Sequence, residues 1–202
     1  FGHQLRALLV VGPGHAGFDA VYDDPAYDVL EGIYDSGKWA NDLDPLTFTG
    51  KRFHRSLRYA ENHDEVRLAN PGEWGGLGMK AGKPASAVLF AMGRGPIMLY
   101  HGQEVGEPAT GAEGFCGDNA RTTIFDYWSM PEFTKWVNNG KFDGGKLSSE
   151  QKSLRDWYGK LIRATSNRAF TVGEFYGLNH SNKENPRFGR VGDETSSGHW
   201  LY

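Results

Sequence analysis

Apolar residues in this chain come in short blocks cut apart by glycine and proline, and the spacing within each block predicts its element. Leu8-Leu9-Val10-Val11 is an apolar stretch ended by the breaker cluster Gly12-Pro13-Gly14, and Gly17 to Tyr22 has the length of a strand. A helix is expected from about Pro25, with Ala26, Val29, Leu30 and Ile33 on one face and Pro25 in its first turn. Gly37 to Pro45 reads as a loop, and Ser56 to Glu61 as a strand running into Asn62-His63-Asp64. A glycine-rich loop from Pro71 to Gly82 precedes a buried helix over Ala85 to Met92, which Gly93 and Gly95 end. Pro96 to Tyr100 then reads as a buried strand, and His101 to Trp128 as a long polar and aromatic loop. Ser149 to Thr165 is helical by pattern, with Leu154, Trp157, Tyr158, Leu161 and Ile162 sharing a face. Thr171 to Leu178 looks like a strand, and Ser181 to Gly198 is too polar to bury much.

Strand, helix, strand, helix, strand, helix is the order of an α/β fold, a parallel sheet with helices packed outside it. A closed barrel of eight such units needs about 250 residues. This chain carries material for about three of them, with no internal repeat.

Composition narrows the partners. The 202 residues are 39% hydrophobic with a net charge of −3, which supplies a core but no electrostatic reason for nucleic acid or an anionic membrane. No apolar run approaches the roughly 20 residues of a membrane span. The lone Cys116 has no partner for an intramolecular disulfide. Aromatics are plentiful, with six Trp, nine Tyr and twelve Phe, which suits stacking on sugar faces and equally suits filling a core.

The segment Leu57-Arg58-Tyr59-Ala60-Glu61-Asn62-His63-Asp64-Glu65-Val66-Arg67 places polar side chains at the C-terminal end of a strand-like run. In a parallel barrel that end carries the catalytic groups. A His beside a carboxylate can bind sugar hydroxyls, and the carboxylate can stabilise an oxocarbenium-like charge. The tripeptide alone is as readily a polar turn. The second informative segment is Gly95-Pro96-Ile97-Met98-Leu99-Tyr100 followed by His101-Gly102-Gln103-Glu104-Val105-Gly106.

Together the two segments resemble the α-amylase family of glycoside hydrolases, whose seventh barrel strand ends in aromatic-x-x-Asn-His-Asp and whose eighth is similar to the stretch from Gly95 to Gly106. Weaker matches flank them. Phe18-Asp19 resembles the start of the sixth strand, while Asp118, Arg121 and Phe125-Asp126-Tyr127-Trp128 resemble the segment after the eighth. Leu154 to Thr165 followed by Gly173-Glu174-Phe175 is similar to the last barrel helix entering a C-terminal β domain. The resemblance implies a partial (β/α)8 TIM barrel, about strands six to eight, over residues 1–168, and the start of a C-terminal β domain over 169–202. It implies Asp64 as the transition-state-stabilising carboxylate, with His63 binding sugar hydroxyls and Asn62 orienting them. Tyr59 (where Phe is commoner), Glu104 and Trp128 join them as substrate-binding positions, and Trp74 is a further stacking candidate. Arg67 either pairs with a nearby carboxylate or caps a helix at the surface.

The family's nucleophile lies in a Gly-x-Arg-x-Asp pattern at the fourth strand and its acid/base Glu ends the fifth. Neither pattern occurs here, so both are expected upstream of Phe1. The implied activity is retaining hydrolysis of α-glucosidic bonds in an α-glucan or maltooligosaccharide. Glu65-Val66 is similar to branching-type transferases, which keeps transglycosylation open, as is a non-catalytic glycan-binding member. The sequence settles no cofactor; Ca2+ is an option for the full-length parent, and Asp23-Asp24 and Asp42-x-Asp44 suit turns better than a calcium site. Gly78 to Lys83 fails as a phosphate loop, because Leu77 stands where a glycine is required and Pro84 where Ser or Thr must be. No Gly-x-Ser-x-Gly or His-Glu-x-x-His occurs.

Overall fold

The structure, a computed structural model, describes residues 7–9, 18–38, 40–47, 54–111 and 119–175. It is a mixed α/β arrangement. The strands β1 (Ala7–Leu9), β2 (Phe18–Tyr22), β3 (Ser56–Tyr59) and β4 (Ile97–Met98) form one sheet in the order β1-β2-β3-β4. β1 runs antiparallel to β2 with a bulge between Leu8 and Leu9, and β2 runs parallel to β3 with Val21 opposite Ser56 and Tyr22 opposite Leu57. β2, β3 and β4 make a three-stranded parallel section.

The helices are α1 (Asp24–Ser36), α2 (Asp44–Thr47), α3 (Met79–Ala91), α4 (Pro131–Val137), α5 (Ser149–Thr165) and α6 (Arg168–Thr171). The chain divides into two compact units, one of residues 1–58, 89–97 and 168–202, the other of 59–88 and 98–167.

In the first unit α1 starts where expected. The Asp23 carboxylate accepts from the Ala26 amide, Pro25 occupies the first turn, and Gly37 ends the helix at φ +63°. Ala26, Tyr27 and Leu30 are buried, so Tyr27 takes a core position that the pattern gave to Val29 and Ile33. Asp23 also pairs with Arg58 Nε at 2.8 Å, and Arg58 donates to the Leu46 carbonyl at 3.4 Å. Both partners of the ion pair are buried, so Asp23 is a helix cap and counter-ion. The Arg58 amide donates to the Pro96 carbonyl at 2.8 Å, which brings β4 beside β3. That approach requires Gly95: a Cβ there would lie 1.9 Å from the Ser56 carbonyl oxygen. The loop expected from Gly37 to Pro45 is instead partly helical, a 3-10 turn over Ala40–Leu43 leading into α2. Thr171 closes the helical turn α6 and 172–175 form no strand, which corrects the strand expected from Thr171; 176–178 lie outside the described residues.

The second unit is organised around buried Tyr158 of α5. Its hydroxyl donates to the Gly82 carbonyl (3.2 Å), accepts from Gln103 Nε2 (3.0 Å) and bonds Ser86 Oγ (2.9 Å), and burial raises its pKa far above the ordinary tyrosine value. Gly82 and Lys83, expected in or beside a loop, therefore lie inside α3, which begins at Met79. A glycine is tolerated there because a Cβ at position 82 would meet the Tyr158 hydroxyl at 3.2 Å. α5 opens with a capping box, the Ser148 hydroxyl accepting from the Gln151 amide and the Gln151 side chain from the Ser148 amide. Leu154 and Tyr158 of its apolar stripe are buried, whereas Ile162 is exposed. Among the described residues no helix is long and apolar enough to cross a membrane.

Candidate active site

The chain leaves β3 at Tyr59 and turns at once. Tyr59 and Ala60 are buried, and the turn is made by Asn62, whose Oδ1 accepts from the amides of Asp64 (2.7 Å) and Glu65 (3.0 Å). With two backbone donors bound to one side-chain oxygen, the peptides around Asp64 are fixed. The side chains of His63 and Asp64 point away from the core, 43% and 35% exposed, with His63 Nε2 3.1 Å from Asp64 Oδ2. This is a carboxylate with a proton donor alongside, open to solvent on one side. The same oxygen can hold charge while the imidazole binds a hydroxyl.

Behind the turn lies a buried ion pair. Arg67 and Glu61 side chains are 0% and 1% exposed, and Arg67 Nη1 donates to Glu61 Oε2 at 2.6 Å. Glu61 Oε1 accepts from the Leu68 amide at 2.8 Å. Arg67 Nη2 donates to the His101 carbonyl at 3.0 Å, Nε donates to Thr122 Oγ1 at 3.1 Å, and Nη2 also meets Thr122 Oγ1. The guanidinium lies 4.4 Å over the Tyr100 ring, and the Tyr100 hydroxyl donates to the Thr122 carbonyl at 3.1 Å. Burial pushes the Glu61 carboxyl up, while Arg67 and the Leu68 amide pull it back. Arg67 thus pairs with a carboxylate; the alternative of a surface cap is corrected by its complete burial.

The second motif forms a tight turn after β4. Gly102 (φ +91°) and Gly106 (φ +70°) bracket a 3-10 turn over Gln103–Val105, conformations that only glycine adopts without strain. The Glu104 carboxylate accepts from the Gly102 amide at 3.0 Å; burial raises its pKa, and backbone amides, Arg155 and Arg67 partly offset that. Burial, then the Arg67 charge, hold His101 below the ordinary histidine value, its ring set between Tyr100 and Phe133.

Of the residues expected in the site, Asn62, His63 and Asp64 stand together on one turn. Glu104 lies near enough to Glu61 and Arg67 for their charges to interact. Tyr59 is 1% exposed. Trp128 closes the 3-10 turn Asp126–Trp128, and its side chain lies outside the described residues. Trp74 is fully buried, which corrects its reading as a stacking platform. Asp118 lies outside the described residues. Sequence reading missed Glu61, Thr122 and Glu107. Buried Glu107 caps α4, its Oε2 accepting from the amides of Glu132 (2.8 Å) and Phe133 (3.1 Å). The only local signal for Glu61 was its place six residues before an arginine. Compared with family models, curated proteins and solved structures, the chain matches none of them.

Proposed function

We propose that this chain is the C-terminal half of the catalytic barrel of an α-amylase-type glycosidase acting by retaining hydrolysis on α-glucans, with Asp64 as its transition-state-stabilising carboxylate. The observation that carries the reading is the Asn62-anchored turn directly after a parallel strand, holding Asp64 and His63 3.1 Å apart and open to solvent. The neighbouring strand in the sheet, β4, leads into the Gly102–Gly106 turn that completes the motif pair.

The chemistry follows from charge. As a glycosidic bond breaks, positive charge grows on the sugar, and a carboxylate held in place by its own backbone stabilises that charge without reorganising. His63 binds a hydroxyl of the same ring. The nucleophile and the acid/base, about 5–5.5 Å apart in retaining enzymes, come from a segment preceding this one.

The test uses the polypeptide that joins this chain to its nucleophile-bearing segment, given a short maltooligosaccharide at low and then high concentration. Hydrolysis releases mainly shorter sugars, with a matching rise in reducing ends. Products longer than the starting sugar at low concentration, with few new reducing ends, would establish transglycosylation instead. No change in any α-glucan would overturn the assignment.

A further inference from the structure

Three stretches of the second unit converge on one side chain. Arg67 binds Glu61 on its own loop, the His101 carbonyl at the head of the Gly102–Gly106 turn, and Thr122 on the segment that returns from the long loop. Its own amide donates to the Ala120 carbonyl at 2.8 Å, and Nη2 also meets Met130 Sδ at 3.3 Å, just ahead of α4. A fully buried charge persists only when its donors are matched, and here the acceptors lie in different directions around the fork. A planar guanidinium reaches them together; an ammonium, a single point of charge, does not.

The consequence concerns Asp64. Glu61 closes the loop of residues 61–68 at both ends of its carboxylate, Oε2 on Arg67 and Oε1 on the Leu68 amide. His63 and Asp64 sit inside that closed loop. The same guanidinium then ties the loop to His101 and so to the turn carrying Glu104. We infer that Arg67 is a positioning residue: it sets where the Asp64 turn stands relative to the Glu104 turn, beyond adding stability. Its catalytic consequence rests on the reading of Asp64 given above; the positioning itself does not.

Arg67→Lys keeps the charge beside Glu61 and removes the fork, and Thr122→Val removes one acceptor while leaving the ion pair. Amide hydrogen exchange is followed in both variants of the purified chain. The informative amides are Leu68, bonded to Glu61, and Val105 and Glu107, both bonded to the Gly102 carbonyl; α5 is the internal reference. Positioning predicts exchange faster by at least about tenfold at those amides, with α5 unchanged, since opening stays local. In the longer polypeptide, kcat falls about 10–10²-fold in Arg67→Lys, as expected for misplaced groups, while KM stays within about threefold. A uniform rise that includes α5, or no change at all, overturns the positioning role. An inactive wild type with the local exchange pattern intact would remove the glucan reading and leave the positioning standing. An active wild type that tolerates Arg67→Lys in both exchange and kcat would do the reverse.

Discussion

Glu61→Gln is nearly isosteric, and its cost follows from the bonds it disturbs. The carboxylate has both oxygens committed, one to Arg67 at 2.6 Å and one to the Leu68 amide at 2.8 Å, and neither Glu61 nor Arg67 reaches solvent. Glutamine offers one oxygen and one NH2. Whichever way it is turned, a donor faces a donor, and the buried Arg67 charge loses its hydrogen-bonded counter-ion. Removing one partner of a buried ion pair costs about 3–5 kcal/mol. For a chain of this size that corresponds to a fall in Tm of roughly 6–20 °C at about 2–4 °C per kcal/mol. Urea and thermal unfolding at neutral pH, followed by circular dichroism, measure it. Glu104→Gln is the comparison, since the Glu104 carboxylate takes the amide of its own turn and is only partly buried. It should cost no more than about 1 kcal/mol. A double variant, Glu61→Leu with Arg67→Met, should recover much of the loss, because two apolar groups of similar volume leave no buried charge. A loss below about 1 kcal/mol for Glu61→Gln would refute the reasoning, for it would mean that Arg67 finds water or another acceptor.

Two further predictions rest on single residues. Burial and the Arg67 charge place the folded His101 pKa below its unfolded value near 6.5. Its contribution is therefore present above that value and lost as pH falls through the folded one, so His101→Phe should flatten the acid side of the stability curve; equal slopes in both proteins between about pH 4.5 and 7 would contradict this. Gly95→Ala drives a methyl to within 1.9 Å of the Ser56 carbonyl oxygen and should cost about 1–3 kcal/mol by separating β3 from β4, read from thermal midpoints; an unchanged midpoint would contradict the close approach.

The elements legible in the sequence are those with their signals close at hand. α1 and α5 have caps within three residues of their starts and apolar stripes at helical spacing. α4 has no buried side chain, and its N-terminus is satisfied by Glu107, 25 positions away, so nothing local beyond Pro131 announces it. α3 was read too short because Gly82 and Pro84 are breakers by themselves, and only the approach of Tyr158, 76 positions from Gly82, makes a glycine useful there. The same division holds for the site. Asn62, His63 and Asp64 are adjacent in sequence, and Asn62 bonds the amides of their own turn. The network behind them joins Arg67 to Thr122 across 55 positions, a distance over which no pattern in one sequence carries information. Trp74 shows the opposite case: its residue type suits stacking on a sugar, and full burial puts it in the core.

The measurement that bears most directly on the central claim is the turnover of Asp64→Asn in the longer polypeptide that the proposed function calls for. The substitution keeps the side chain's shape and removes the negative charge, while the Asn62 bonds to the Asp64 and Glu65 amides remain. Reducing-end release from a maltooligosaccharide should fall about 10²–10³-fold in kcat. KM should move little, because the charge matters as the bond breaks. Turnover within about threefold of wild type, in a variant whose unfolding midpoint is unchanged, would contradict the role assigned to Asp64.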